Sequence, residues 1–463
     1  MSPTRFPAAL AAVLASVLQA GVATAAPVQV TNSNADCASV APVSDSTGTI
    51  AAWQSDCNLA ATNPDGSLEI FRAVVGSAPA QLTTGVACSS TRPSMSSDGN
   101  KVAFESDCNL TGANVDGNVE IFLWKNGAIT QLTNSVGCDN LAPSINGAGT
   151  FIAFDSTCNL QGNSNAVRGS GIFRVSSTGV LTRLTDNSAD DCDSTSASIN
   201  GSGSLVAFDS DCNLTGENED RAIEIFTVTS AGAATQMTKA PDDTCSSVRP
   251  SMDSAGSIIA FYSDCNFTGF NADNSDEIFT VNASKTVAQV TNVGSGTACA
   301  SGEPRMAASG TAVAFTSYCR LNEFNGDGSI EAFQAGVGRS QGGILAVTDG
   351  GPNCSSTAGG ISADGTRVML DSDCNLATNN ADESVEIYRA NACVCGAPAT
   401  RRAAPSPKAS DALLTLRSAV GASSCALCEC DTNNDQLVTA SDALRTLKVA
   451  VGDTTLTLTC PAP

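Results

Sequence analysis

The chain has 463 residues, 46 acidic and 23 basic side chains for a formal net charge of −23, 20 cysteines and no histidine. Without histidine there is no Ser-His-Asp triad, no His-ligated zinc and no His general base. The acidity argues against nucleic acid or an anionic membrane as a partner.

Residues 1–25 read as a signal peptide: Arg5 near the start, the apolar run AALAAVLASVLQAGVA, then Ala23-Thr24-Ala25 as a small-residue cleavage site. No other apolar run reaches the roughly 20 residues of a membrane helix. The expected product is secreted, extracellular or periplasmic, without membrane insertion, in a compartment where disulfides persist.

A unit then recurs seven times. Its first cysteines are Cys37, Cys88, Cys138, Cys192, Cys245, Cys299 and Cys354, and each is followed by a second cysteine twenty positions later. Between them two short strands flank a turn with Gly at one fixed place, Gly99 in the second copy, where a tight hairpin calls for positive φ. The two cysteines lie equally far from the turn, so the folded hairpin brings them together. This predicts the disulfides Cys37–Cys57, Cys88–Cys108, Cys138–Cys158, Cys192–Cys212, Cys245–Cys265, Cys299–Cys319 and Cys354–Cys374. Each should stabilise by roughly 3 kcal/mol.

First cysteines are 51, 50, 54, 53, 54 and 55 residues apart, long enough for four short strands and so for propeller blades. In the second copy these are 92–96, 101–106, 119–124 (VEIFLW) and 129–133 (ITQLT). The seventh copy lacks the Q-L-T-like fourth strand, and residues 28–31, Val-Gln-Val-Thr, supply it from the other end of the chain. The fold class is all-β: a seven-bladed β-propeller over residues 26–390, closed by the N-terminal strand, with one disulfide per blade and a small α-helical module after it. Eleven of the sixteen Phe fall at two repeating strand positions and are expected in the core between blades.

The pattern S-x-D-G-x-x-[IV]-A-F-x-S-D, followed by E-I-[FY] and Q-L-T, resembles the WD-like propeller repeat of TolB-type proteins over residues 28–390. The resemblance implies fold; propellers of this kind serve as binding platforms, as enzyme appendages and as enzymes.

Residues 27–390 hold 40 acidic and 16 basic side chains, against 6 of each in 391–463. Much of that acidity recurs in the loop after each hairpin, as Asn63/Asp65/Glu69 and its equivalents in five other copies; the third copy breaks the pattern. Two readings stand side by side: oxygen ligands for Ca²⁺, or Asx side chains bonding the backbone of a tight turn. In copies five and six the same face carries Phe270 and Phe324 where other copies have Thr62, Ala113, Glu217 or Asn379, and Tyr318 and Arg320 in place of the usual Asp and Asn. This is a candidate face for stacking on a polysaccharide or gripping a peptide. Packing over neighbouring loops is the other reading.

Residues 391–463 form a separate module with an internal duplication, ASDALLTLRSAVG (409–421) against ASDALRTLKVAVG (440–452), each a short helix with a Gly stop. The segment before the second helix has calcium-loop spacing: side-chain oxygens of Asp431, Asn433 and Asp435, the Leu437 carbonyl, Thr439 directly or through water, and Asp442 closing the loop. This arrangement resembles a type I dockerin, an EF-hand-like fold. The resemblance implies calcium as cofactor and docking to a cohesin-like protein through Ala409-Ser410 and Ala440-Ser441. Thr400, Arg402 and Ala404 stand at the ligand positions of the first loop, so one ion is expected. The six remaining cysteines allow fifteen pairings among which spacing does not choose.

No catalytic residue stands out. The expected function is non-catalytic binding or scaffolding outside the cell, in recognition or assembly. The alternatives are a carbohydrate-active enzyme, hydrolase or lyase, using a carboxylate pair on the propeller, and a structural surface protein.

Overall fold

The computed structural model describes residues 27–160, 169–186, 191–241, 244–293, 299–321, 325–337, 344–392, 407, 409–420, 430, 432–433, 437–453, 455–456 and 458. The expected signal peptide lies outside them. Seven four-stranded antiparallel sheets follow one another along the chain, six with their strands in sequence order from the inside out and the seventh with its outermost strand taken from Val28–Gln29. In blade 2 the strands are Ser90–Met95, Lys101–Ser106, Glu120–Lys125 and Ala128–Gln131. First strands of successive blades face one another and line a central channel.

Three strands differ from the sequence expectation at their ends, the third only by a shift of one residue to Glu120–Lys125. The first begins at Ser90 rather than 92, because the Ser90 amide reaches back to the Leu68 carbonyl of the preceding blade (2.7 Å). The fourth stops at Gln131 rather than 133, because Thr133 leaves the ladder. Its Oγ1 accepts the Ile121 amide at 2.8 Å.

The ring closes as the sequence implies. Val28–Gln29 pairs antiparallel with Glu386–Asn391 as the fourth strand of blade 7, and the Val30 amide donates to Ile387 O (2.7 Å). Thr31 Oγ1 accepts the Ile387 amide at 2.8 Å, the role Thr133 has in blade 2. The Thr of the Q-L-T motif is therefore a clamp between third and fourth strands.

Burial between blades follows the two-residue period of a strand. In blade 2, Phe104 and Phe122 stack at 5.7 Å and pack against Ala52 and Ile70 of blade 1. Ala103 and Ile121, on the opposite face, pack against Phe154 and Phe173 of blade 3. All eleven repeating Phe are buried, with Trp53 taking the equivalent place in blade 1.

Each first strand carries a bulge. In six blades a residue with positive φ sits there, and none of the six is glycine: Ala41, Arg92, Ala142, Ser196, Arg249 and Glu303. The bulge turns an amide toward the preceding blade, with consequences for the channel mouth.

After the propeller come two helices, α1 (Ala409–Ala419) and α2 (Ala440–Ala450), packed on each other. No helix among the described residues is long and apolar enough to cross a membrane.

Candidate functional site

All seven predicted disulfides are present, with Cα atoms 5.1–5.4 Å apart. The sulfurs close together with Asp107 are thus bonded to each other, and the Asp side chain is engaged as well. Asp107 Oδ1 accepts the Ser89 amide (2.6 Å), and Asp56, Asp211, Asp264 and Asp373 repeat that bond. Beside it, Ser106 Oγ accepts the Cys108 amide and meets Ser90 Oγ at 3.0 Å. This end of each blade is a cross-linked, hydrogen-bonded clamp.

The Asn/Asp/Glu loops stand next to the clamp. Asn63 is buried, its amide bonds Asn58 Oδ1 and its Nδ2 donates to Ser67 O, which makes it the keystone of a tight turn. Glu69 is also buried. Its Oε1 accepts the Gly85 amide, as Glu277 does from Val293 (2.7 Å) and Glu331 from Gly350 (2.7 Å). The Asx-turn reading of these residues therefore describes real bonds. It leaves one feature unexplained: Ser67 Oγ lies 3.1–3.3 Å from Asn63 Oδ1, Asp65 Oδ1, Glu69 Oε1 and Gly85 O, four acceptors around one hydroxyl hydrogen. Burial pushes the Glu69 and Glu277 carboxyls up from the ordinary range. The third blade has Gly171 at the glutamate position.

A second set of charges surrounds the channel mouth. Three positions before the second cysteine stand Gln54, Glu105, Asp155, Asp209, Tyr262, Thr316 and Asp371, on successive second strands. Several accept the amide turned out by the next blade's bulge: Gln54 from Arg92 (2.8 Å), Glu105 from Ala142 (2.6 Å), Asp209 from Arg249 (2.7 Å), Thr316 from Ala358 (3.0 Å) and Asp371 from Ala41 (3.1 Å). They tie blade to blade. Burial raises all three aspartates, Asp155 to about 7 with help from the neighbouring Glu105 charge, and Asp371 to about 6 against the pull of Arg305. Asp155 Oδ1 has no hydrogen-bond partner. Arg249 and Arg305 both approach Glu303 on the same side of the mouth. Inside the channel Arg305 takes a place held by Ser94, Ser144, Ser198 and Ser251 in other blades, and its Nε donates to Gly359 O (3.0 Å).

Of the proposed ligand face, Phe270 is 68% exposed, Tyr318 is 42% exposed and Arg320 is exposed, on neighbouring blades. Phe324 lies outside the described residues. The packing alternative fails for Phe270, whose ring is mostly in solvent; Phe267, three residues earlier, is the one that packs, edge-on to Phe261 and Phe279.

In the C-terminal module Asp431 and Asp435 lie outside the described residues, as do all the remaining cysteines except Cys430, which is buried and disulfide-bonded. Asp442 is buried and accepts from the Thr432 amide (2.8 Å), the Thr439 amide (2.9 Å) and Thr439 Oγ1 (2.8 Å), closing the loop onto the start of α2 as a capping box. Asn433 Nδ2 reaches Ser441 Oγ at 3.5 Å, and Leu437 is 62% exposed. The duplication is visible in bonds: Thr415 Oγ1 to Asp411 O and Thr446 Oγ1 to Asp442 O, both 2.9 Å.

The channel-mouth charges were missed in the sequence because their chemistry changes from blade to blade. Their constant offset from the cysteines was the available signal.

No protein-family model matches the sequence, and no curated protein matches it. Solved structures do. TolB from Acinetobacter baumannii is 15% identical over 70% of this chain, with a TM-score of 0.37, and this chain spans 59% of its length. An oligogalacturonate lyase from Vibrio parahaemolyticus is 12% identical over 80% of this chain and 93% of its own, with a TM-score of 0.51. A prolyl endopeptidase is 10% identical over 79% of this chain and 50% of its own, also at 0.51. At such identities the likeness is one of fold, and the chain is a seven-bladed β-propeller with two helices after it.

Proposed function

We propose that the protein is a secreted, non-catalytic recognition propeller that binds an extracellular polysaccharide or peptide on its disulfide-clamped face. Its tail is read as a calcium-binding, dockerin-like module for docking to a cohesin-like protein. The observation that carries the ligand reading is the exposure of Phe270 and Tyr318 on neighbouring blades, beside the cation of Arg320. Exposed aromatic rings on a rigid support offer stacking area at little entropic cost. Retention on a panel of polysaccharides and peptides should fall about tenfold in Phe270→Ala/Tyr318→Ala, as expected for loss of about 1.4 kcal/mol. Equal retention of variant and wild type by every bound probe would sink the reading. For the tail, Asp431→Ala/Asp435→Ala should bind one calcium ion fewer than wild type.

One observation favours a second reading, a carbohydrate-active enzyme. Asp155, raised to about 7 with one oxygen unpartnered, has the properties of a general acid, and Glu105 and Asp209 are its charged neighbours. Against it, Asp155 is buried, and Glu105 and Asp209 are bonded to the next blade. Glycan cleavage by wild type that is abolished in Asp155→Asn, with the fold intact, would replace the binding reading by this one.

A further inference from the structure

Blades 1, 5, 6 and 7 share an oxygen arrangement that the turn chemistry does not account for. Each has the pattern Asn-x-Asp-x-Ser-x-Glu, with its oxygens gathered around the serine. Ser329 Oγ lies 2.9 Å from Asp327 Oδ1 and 3.1 Å from both Asn325 Oδ1 and Glu331 Oε1. Ser384 Oγ lies 2.8–3.2 Å from the corresponding atoms of Glu386, Asn380 and Asp382, and Ser275 Oγ 3.2–3.5 Å from those of blade 5. A hydroxyl donates one hydrogen, so most of these close oxygen pairs are repulsive unless positive charge sits among them. The spacing itself is informative: oxygens about 2.4 Å from one calcium ion and roughly 80° apart lie about 3 Å from each other.

An independent observation singles out the same four blades. The glutamates Glu69, Glu277, Glu331 and Glu386 are buried, and no hydrogen bond of good geometry reaches the Oε2 of any of them, although the Thr83 and Thr291 hydroxyls lie near enough to Glu69 and Glu277 to favour their charged forms. Two other blades keep the glutamate but not the serine. There Oε2 is satisfied, in Glu120 by Asn140 Nδ2 (2.9 Å) and in Glu224 by Thr238 Oγ1. In blade 2 the serine's place is taken by Asn118, whose Nδ2 donates to Glu120 Oε1 (3.0 Å) and so brings its own positive hydrogens. In blade 4 it is Ala222. Among the described residues none of the four unsatisfied carboxylates is ion-paired. A buried carboxylate oxygen without a donor is stabilised either by a proton or by a cation, and the ring of acceptors around each serine favours the cation.

We propose that blades 1, 5, 6 and 7 each bind one calcium ion through the Asn, Asp, Ser and Glu oxygens of this loop. The donor set is all oxygen, mixed amide, hydroxyl and carboxylate, and includes in blade 1 the Gly85 carbonyl; that suits a hard cation of flexible coordination and not a metal that prefers nitrogen or sulfur. Each exposed aspartate leaves its site open to solvent for entry of the ion and for water ligands. The ion would join the loop after the hairpin to the loop after the fourth strand, which carries Gly85 in blade 1 and Gly350 in blade 6. This is independent of the ligand assigned to the aromatic face and of the ion assigned to the tail.

The test counts ions on the full mature chain, stripped with a chelator and then dialysed against calcium. The variant Asp65→Ala/Asp273→Ala/Asp327→Ala/Asp382→Ala removes one exposed ligand per blade and should bind about four ions fewer than wild type. The tail variant Asp431→Ala/Asp435→Ala should lose one and keep the rest, so the two assignments fail separately. A quadruple variant that binds as many ions as wild type overturns the proposal, as does a wild-type chain that binds none or only the tail ion. If circular dichroism shows the quadruple variant unfolded, single Asp65→Ala and Asp382→Ala variants serve in its place. Each should lose one ion, and full retention by both overturns the proposal.

Discussion

Thr31→Val tests whether the ring is held shut by the N-terminal strand. Thr31 is buried at the seam, where its Oγ1 accepts the amide of Ile387, itself buried. Valine has nearly the same volume but no acceptor, so the variant leaves an unsatisfied donor inside blade 7 and no cavity. Such a group costs about 1–3 kcal/mol. Thr133→Val in blade 2 is the internal reference, because Thr133 does the same for Ile121 within a blade whose four strands are continuous in sequence. Both should lower the midpoint of guanidinium unfolding by similar amounts at unchanged m, with disulfides intact. If Thr133→Val loses the expected stability while Thr31→Val stays within about 0.5 kcal/mol of wild type, the seam strand contributes no closure and the ring is held by blade packing alone.

Two further outcomes follow from the same geometry. Asp155 is raised to about 7 by burial and by Glu105, against about 4 in an unfolded chain. Between those values the folded state binds more protons, so this group's contribution to stability is fully present below about pH 4 and is lost as the pH rises through about 7. Asp155→Asn should match wild type near the lower limit and exceed it at about pH 8 in denaturant midpoint; a difference that does not grow with pH would refute the burial argument. Gly359→Ala would place a methyl 2.3 Å from the Pro42 carbonyl oxygen, across the contact between blades 7 and 1. Overpacking against backbone should cost about 1–3 kcal/mol in thermal or chemical unfolding, and an unchanged midpoint would show that the seam is free to shift.

Much of this architecture was legible because it rests on residues with a single physical job. Cysteines twenty apart, one glycine per turn at positive φ, and a threonine at the end of each fourth strand recur in register, and the last of these located the closing strand. The bulges were not legible. Their positive-φ residues include Arg92, Arg249 and Glu303, types that carry no backbone signal, and the strain is held by tertiary bonds to the preceding blade. The channel mouth was hidden for a related reason: Gln54, Asp155, Tyr262 and Thr316 occupy one geometric position with four different side chains. In the acidic loops the same residues fit both a calcium site and an Asx turn. What separates the blades is whether the second glutamate oxygen accepts a bond, and that depends on Asn140, which stands on the first strand of the following blade, and on how Thr238 is placed, a threonine the other blades also carry.

Every blade disulfide joins two points of a single hairpin, and none links one blade to another, while the seam itself is held by hydrogen bonds and the packing of Val30, with no blade disulfide across it. Under tension applied at the two ends of the propeller, the clasp at residues 28–31 is therefore the weakest mechanical link, and blades would peel off one at a time. Each staple also keeps its twenty-residue loop out of the stretched chain, shortening the contour by about 70 Å per blade at roughly 3.5 Å per residue. A propeller built this way yields in short, countable steps and keeps each hairpin ready to re-form when the load is released.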